Sequence, residues 1–163
     1  MTSVVVLSDT HIRRGSSRRL PDGAYARLEK ADVILHAGDV VVSDVLDELA
    51  GFAPVHAVLG NNDHELVGLL PETLDLTLAG VRIGMVHDSG PSNGRAGRMR
   101  RRFPDADVVV FGHSHIPWNQ EGFDGQLLFN PGSPTERRAQ PHHTIGILDL
   151  DAGQVLAASI EVV

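Results

Sequence analysis

Short apolar runs bounded by polar residues recur along the first part of the chain. Residues 4–7 are too few for a helix, and three of the four are β-branched, which is typical of a strand buried on both faces. Similar runs at 33–36 and 55–59 predict two more strands, with short helices between them at 25–30 and 44–50. This alternation of strand and helix predicts parallel pairing with right-handed crossovers.

The ends of the second predicted helix carry their own signals. Ser43 precedes it, and a serine hydroxyl at this position commonly accepts a hydrogen bond from the first turn, so we expect Ser43 to be the N-cap. Gly51 follows the last apolar residue and predicts the C-terminal stop.

From residue 74 the pattern becomes that of antiparallel structure. Residues 74–78 alternate between apolar and polar, and Ala79 and Gly80 form a turn into the apolar run 81–86, which predicts a hairpin.

The rest of the chain predicts more strands and one further helix. Strands are expected at 108–111 and 127–129, and a closing hairpin at 144–150 and 154–162. Residues 95–103 predict a helix whose five arginines indicate a solvated face. We expect two packed sheets, one largely parallel and one containing hairpins, with helices on the outside.

Composition narrows the functional classes. A chain of 163 residues is normally one domain, so we expect a single domain over 1–163. The formal net charge of -7 disfavours stable binding to nucleic acid or to a membrane surface. There is no cysteine, which excludes disulfides, thiolate metal sites and a cysteine nucleophile. No apolar run is long enough for a membrane span, and we expect a cytoplasmic protein.

Carboxylate, amide and imidazole side chains follow five of the predicted strands. Ligands of open α/β sheets bind beyond the carboxyl ends of the strands, so we expect these side chains to meet at one edge of the sandwich. Seven nitrogen and oxygen donors exceed the needs of one zinc site with an open position, and they suit two ions that share a carboxylate. The seven are Asp9, His11, Asp39, Asn61, His87, His113 and His115.

The motifs around these residues resemble those of the calcineurin-like metallophosphoesterases, specifically the small branch that includes bacterial and archaeal phosphodiesterases and Vps29. The likeness extends from about residue 4 to residue 133 in the family's motif order. It implies the α/β (α+β) metallophosphoesterase fold, a four-layer αββα sandwich of two mixed β-sheets flanked by helices. The matching segments are Asp9-Thr10-His11, Gly38-Asp39, Gly60-Asn61-Asn62-Asp63, Val86-His87, Gly112-His113-Ser114-His115 and Asn130-Pro131-Gly132-Ser133.

The resemblance also implies a dinuclear phosphoesterase, most simply a phosphodiesterase acting on a small phosphate ester through a water activated by both ions. One ion would be held by Asp9, His11 and His115. The other would be held by Asn61, His87 and His113, and Asp39 would bridge the two. Asp39, Asn61 and His87 are thereby catalytic positions.

The donor types also bear on the metal and on the pH range. Manganese is the expected metal, although iron, zinc, nickel or cobalt also suits imidazole and carboxylate ligands. The imidazoles must be neutral to bind a metal, so we expect activity to fall as the pH drops through about 6.

One position departs from the family pattern. Many relatives carry a histidine directly after the motif asparagine, where it protonates the leaving oxygen, and this chain has Asn62. An amide cannot act as a general acid near neutral pH. His64 is the candidate substitute.

Several alternatives stay open at this point. The resemblance includes Vps29, which implies a non-catalytic scaffold for protein interactions as a second function, and a single-zinc hydrolase is a third. A homodimer or homotetramer is compatible with the family branch. Trp118 could line the rim of a substrate site or form an oligomer contact. We expect Asp63 and Asp88 to orient ligands, and His36 to be structural.

Overall fold

Two five-stranded sheets and three helices form the structure, a computed structural model that describes residues 1–163. The first sheet contains β1 (Thr2–Leu7), β2 (Val33–His36), β3 (Val55–Ala57), β9 (Thr144–Asp151) and β10 (Gln154–Val162). The second contains β4 (Thr73–Leu78), β5 (Val81–Val86), β6 (Val108–Val110), β7 (Trp118–Glu121) and β8 (Leu127–Asn130). The helices are α1 (Asp22–Leu28), α2 (Ser43–Ala50) and α3 (Arg95–Arg102).

Both sheets are mixed. Their strand orders are β10-β9-β1-β2-β3 and β4-β5-β6-β8-β7. The predicted parallel pairing of β1, β2 and β3 is confirmed, as is the β4–β5 hairpin. The expectation of one largely parallel sheet and one sheet with hairpins is wrong in detail, because the closing hairpin β9–β10 pairs with β1 and the second sheet has a parallel centre of β5, β6 and β8.

Alternation along the buried strands produces four layers. In β1, Val5 and Leu7 belong to a core shared with α1 and α2, whereas Val4 and Val6 belong to a core shared with the second sheet. A third core lies between the second sheet and α3, where Met99 packs with residues of β6 and β8. The order helix, sheet, sheet, helix is therefore the predicted αββα sandwich.

Three local predictions need correction. Helix α2 begins at Ser43 itself, with Val42 at the N-cap and no capping side chain, so the predicted cap is wrong. Helix α1 begins at Asp22, earlier than predicted, because Pro21 fits the position before a first turn. Strand β7 was not predicted, since it is a polar and largely exposed edge strand without an apolar alternation.

The arginines of α3 do not all lie on a solvated face. Arg101 and Arg102 are exposed as expected, but Arg95 is only 7% exposed. Its guanidinium carbon lies 4.7 Å from the ring centroids of both Phe111 and Trp118. None of the three helices has the length and apolar character needed to cross a membrane.

Candidate metal centre

The loops that follow β1, β2, β5 and β6 hydrogen-bond to one another at one edge of the sandwich. The amide of Asp9 donates to the carbonyl of Gly38 (2.9 Å), and the amide of Gly112 donates to the carbonyl of His87 (2.9 Å). The amide of His113 donates to the Asp9 carboxylate (3.0 Å). These bonds hold the strand exits against each other.

All seven side chains predicted as ligands lie in this region, which we term the ligand cluster. The first group surrounds the fully buried Asp9, whose Oδ1 lies 3.7 Å from Nε2 of His11 and 3.4 Å from Nε2 of His115. Two atoms that each lie about 2.1 Å from one ion are separated by about 3–3.5 Å. These three side chains are therefore spaced as the ligands of one ion.

The second group surrounds Asn61. Its Oδ1 lies 3.0 Å from Nε2 of His87 and 3.2 Å from Nδ1 of His113. Asp39 lies between the two groups, with Oδ2 3.2 Å from Nε2 of His11 and 3.4 Å from Nε2 of His87. This is the position that a bridging carboxylate would occupy.

Five members of the ligand cluster have left-handed backbone conformations, which non-glycine residues rarely adopt. Their φ angles are 57° at Asp9, 46° at His11, 59° at Asp39, 71° at His113 and 62° at His115. Each such residue costs about 1 kcal/mol or more. Strain of this kind is typical of functional sites, where the surrounding structure holds side chains in a required direction.

Backbone carbonyls fix the tautomers of two histidines. Nδ1 of His87 donates to the carbonyl of Ala37 (2.7 Å), and Nδ1 of His115 donates to the carbonyl of Glu136. In the neutral imidazole, Nε2 then carries a lone pair. Both lone pairs face oxygen atoms of the ligand cluster, an arrangement that a cation between them would satisfy.

The donor set therefore fits divalent metal ions. Three buried atoms of the cluster have no hydrogen-bond partner: Oδ1 of Asp9, Nε2 of His11 and Nε2 of His115. Buried polar atoms are normally paired, and these three all belong to one candidate ligand group. A second candidate group joins Asp9, Asp39 and His87.

The electrostatics of the cluster follow from its paired charges. Burial opposes ionisation of Asp39, but the nearby imidazoles of His11 and His87 outweigh it and hold the pKa of Asp39 well below its ordinary value. Burial also disfavours the charged form of His11, yet the nearby carboxylates of Asp39 and Asp9 raise its pKa to about 9. The pKa of His87 is raised in the same way, whereas burial lowers that of His115.

Metal binding is expected to release a proton from His11. Because the pKa of His11 is raised to about 9, the metal-free protein carries this proton at about pH 7.5, and metal must displace it. Apparent metal affinity should weaken as the pH falls below about 9, in the direction predicted from the sequence. We expect Mn²⁺ binding at about pH 7.5 to release about one proton or more per chain. Isothermal titration calorimetry in two buffers of different ionisation enthalpy measures this number.

His11→Asn provides the informative variant, since it removes the titrating group from the cluster and should release about one proton fewer. His142→Asn changes an exposed histidine and should release as many protons as the wild type. Metal binding without proton release at about pH 7.5 would contradict the charge state of His11.

Residues behind the ligand cluster hold it in place. The carboxylate of Asp63 accepts hydrogen bonds from the amides of Asp39 (2.9 Å), Val41 (2.7 Å) and Gly60 (2.7 Å), the orienting role expected of it. Asp88 is exposed, and its Oδ2 lies 3.9 Å from Nε2 of His113.

His36 is structural, as predicted. It is fully buried, with Nε2 3.0 Å from Oγ1 of Thr10, and the amide of Gly38 donates to its Nδ1 (3.2 Å). Burial lowers the pKa of His36 to about 4, so it stays neutral.

Three supporting residues were missed from the sequence. Ser8 donates to Oδ2 of Asp9 (2.7 Å), and Ser133 donates to the carbonyl of Asp9 (2.8 Å). Oε2 of Glu136 lies 3.6 Å from Nε2 of His11, so a third carboxylate borders the cluster. The family-like segment 130–133, which contains Ser133, and the position of Ser8 directly after the first strand are the sequence signals for this support.

Two motif glycines are required by close packing. A Cβ at Gly60 would overlap the backbone nitrogen and carboxylate of Asp39, and a Cβ at Gly112 would overlap the hydroxyl of Ser8. The glycines beside Asn61 and His113 thus allow the ligand loops to approach each other.

Asn62, which replaces the histidine of many relatives, and His64, its candidate substitute, lie in different surroundings. Asn62 clamps Asp39, since its amide donates to Oδ1 (2.9 Å) and its Nδ2 to Oδ2 (3.0 Å). His64 is exposed and lines a cavity of about 430 Å³ together with Asn61, His87 and His113. His64 therefore borders the open side of the cluster, where a substrate would enter.

Comparisons with known proteins show relatives in sequence and in fold. A "Probable metallophosphoesterase" of Methanothermobacter thermautotrophicus is 34% identical over 157 residues, which cover 95% of this chain and 89% of that protein. Wild-type Vps29 of Entamoeba histolytica complexed with Zn²⁺ has the same fold, with a TM-score of 0.79 at 23% identity and coverage of 99% and 98% of the two chains.

A structure described as a novel archaeal phosphodiesterase also shares the fold, with a TM-score of 0.73 at 22% identity and coverage of 99% and 100%. The model of the calcineurin-like phosphoesterase superfamily domain matches residues 2–153. The chain therefore belongs to the calcineurin-like phosphoesterase superfamily.

Proposed function

We propose that this chain, as a single domain, is a phosphodiesterase that uses two divalent ions, with manganese the first candidate. One observation carries the proposal: seven ligand-type side chains, five of them on residues with strained backbone, form two groups around the buried central carboxylate of Asp39. When bound, the ions would supply Lewis acidity toward the phosphoryl oxygens and lower the pKa of an attacking water.

The residues of the chain would orient the metal ligands and offset the positive charge of the ions. Asp39 presents one oxygen to both groups, and Asn62 fixes that carboxylate with two hydrogen bonds. Asn61 adds an oxygen ligand without adding negative charge, and His87 keeps its Nε2 lone pair directed inward through the bond to Ala37. Rigid placement of this kind removes the cost of reorganisation during the reaction.

His64 is the proposed source of the proton for the leaving oxygen. It is exposed and borders the same cavity as Asn61, His87 and His113, and imidazole is the side chain that most often serves as a general acid. Asn62 cannot provide this proton, and it is already committed to Asp39.

The alternative functions differ in measurable ways. A Vps29-like scaffold needs no turnover, and because one Vps29 structure contains Zn²⁺, metal binding alone does not separate the two functions. A complete set of ligand-type side chains favours catalysis, since a scaffold for protein partners requires none of them. A single-zinc hydrolase would bind one ion per chain.

The test combines metal analysis with hydrolysis of bis(p-nitrophenyl) phosphate by the full chain loaded with Mn²⁺. We expect two ions per chain by elemental analysis and release of p-nitrophenol that stops on chelation and returns when Mn²⁺ is restored. Two ions without turnover of any phosphate ester would favour the scaffold, and one ion with turnover would favour the mononuclear hydrolase.

A further inference from the structure

A second cavity opens beside His113 and Asp88, which also line the cavity that contains His64. It has a volume of about 480 Å³, and its walls include Ser114, Ile116, Trp118 and Arg95. His113, one of the two residues that the cavities share, is also a proposed metal ligand. A substrate whose phosphorus lies at the metal centre can therefore extend into it.

Arg95, which lines this cavity, is a nearly buried positive charge without an ion-pair partner. The residue is 7% exposed, and no carboxylate lies within 4.0 Å of its guanidinium. Its Nε donates to Oγ of Ser89 (2.9 Å) and its Nη2 to the carbonyl of Gly90 (3.1 Å). Both partners are neutral, so the positive charge forms no ion pair, and the exposed Asp88 at the same cavity acts on it only from a longer distance.

The guanidinium of Arg95 is oriented by packing against aromatic rings and not by an ion pair. It is stacked between Phe111 and Trp118, at 4.7 Å from each centroid. Nη1 makes no hydrogen bond to the protein and is not sealed from solvent. Burial lowers the pKa of Arg95, which indicates that its charge is poorly solvated. A buried charged group without a partner is costly, and an anion in the cavity would offset that cost.

Other groups around the cavity are compatible with an anion. Oγ of Ser114 accepts hydrogen bonds from Ile116 and Asn130, which leaves its hydrogen free to donate. Arg98 donates to the backbone carbonyls of Ser89 and Asn93 and lies close enough to Arg95 to act on its charge, so it adds positive charge near the cavity. Asp88 is the one acid at the cavity, and its Oδ1 accepts from the amide of Gly90 (2.8 Å).

We propose that Arg95 is a specificity residue that binds an oxyanion, a carboxylate or a phosphate, carried by the leaving group of the ester. The substrate class is then a phosphate ester with a second anionic group beyond the scissile bond. This inference rests on the proposed function, and it deepens it by naming what the leaving group carries. Arginine suits this task because its planar guanidinium forms directed hydrogen bonds to oxyanions.

A matched pair of substrates tests the proposal. Methyl 4-carboxyphenyl phosphate and methyl 4-carbamoylphenyl phosphate have the same shape and differ in the charge at the far end of the ring. We expect the Mn²⁺-loaded wild type to prefer the carboxylate by about tenfold to a hundredfold in kcat/KM, mainly through a lower KM. Equal kcat/KM values for the two esters would overturn the proposal.

Variants separate specificity from structure. Arg95→Gln should remove the preference for the carboxylate ester, so that the two kcat/KM values become about equal. Arg95→Lys keeps the positive charge and should retain part of the preference. The lysine variant serves as the test if Arg95→Gln folds poorly. Arg101→Gln removes the same charge from an exposed position of α3 and should keep the full preference. If both Arg95 variants lower kcat/KM equally for the two esters, Arg95 is structural and the proposal is wrong.

A binding measurement keeps the inference distinct from turnover. Trp118 is the only tryptophan of the chain and lies on the cavity wall, so its fluorescence reports occupancy. Benzoate should change this fluorescence in a saturable way in the wild type but not in Arg95→Gln, whereas benzamide should have no effect. If no ester is hydrolysed, the proposed function is wrong, but this titration still shows whether Arg95 binds an anion. If benzoate causes no saturable change in fluorescence, or benzamide causes the same change, the proposed anion site is wrong.

Discussion

Asp39→Asn is expected to lower kcat/KM for bis(p-nitrophenyl) phosphate by about a thousandfold or more, which corresponds to about 4 kcal/mol of transition-state stabilisation. The side chain is 2% exposed and keeps its shape in the variant, so the change is one of charge. Its Oδ2 lies within 3.4 Å of both His11 and His87, the two imidazoles nearest to it in the separate ligand groups. Two divalent ions held by the proposed ligand groups would repel each other, and the negative charge of Asp39 between the groups would offset that repulsion.

The same variant should bind fewer than two ions per chain, and this loss is measured by elemental analysis. It should also release fewer protons on binding Mn²⁺, because Asp39 is the strongest partner that holds the proton on His11. Asp47→Asn, which removes an exposed carboxylate of α2, is the matched control and should behave as the wild type. A variant at position 39 with two bound ions and more than about a tenth of the wild-type activity would exclude the bridging role.

The sequence predicts the strand exits well because their signals are local. A short apolar run such as 4–7, three of whose residues are β-branched, is typical of a buried strand, and a polar cluster directly after it is expected at the sheet edge. Since Asp9, Asp39 and His87 each follow such a run, their convergence could be expected before their distances were known. Local patterns do not contain the choice of partner strand, and so the pairing of the closing hairpin β9–β10 with β1 could not be predicted.

The burial of charged residues is the second feature that the sequence alone does not predict. The helical segment with Arg95 has the composition of a solvated face, and only the tertiary positions of Phe111 and Trp118 create a slot for its guanidinium. Likewise, Ser133 contacts Asp9 across more than a hundred residues of sequence. Such contacts depend on how two loops from different sheets meet, which no local periodicity records.

Asp63→Asn should destabilise the metal-free protein by about 2–3 kcal/mol, although the residue contacts no proposed ligand side chain. Its two carboxylate oxygens accept three backbone amides, and two of these belong to residues in the left-handed region, Asp39 (φ 59°) and Val41 (φ 84°). Val41 is β-branched, for which this conformation is especially unfavourable. The carboxylate of Asp63 therefore holds a strained segment in place.

An asparagine at this position has a single acceptor oxygen. If that oxygen serves the amides of Asp39 and Gly60, the new NH₂ group faces the amide of Val41, donor against donor. Burial raises the pKa of Asp63, so removal of its charge recovers some desolvation energy, but the buried amide of Val41 still loses its acceptor. The net effect should remain a clear loss of stability.

Urea denaturation of the metal-free protein at about pH 7 measures the effect as a lower midpoint with an unchanged m-value. The variant should also bind Mn²⁺ more weakly, because the backbone of Asp39 is no longer held by its amide. Asp105→Asn, an exposed loop aspartate, is the matched control and should change the unfolding free energy by less than about 0.5 kcal/mol. If the Asp63→Asn protein is as stable as this control, the carboxylate of Asp63 is not needed to hold the strained segment that contains Asp39.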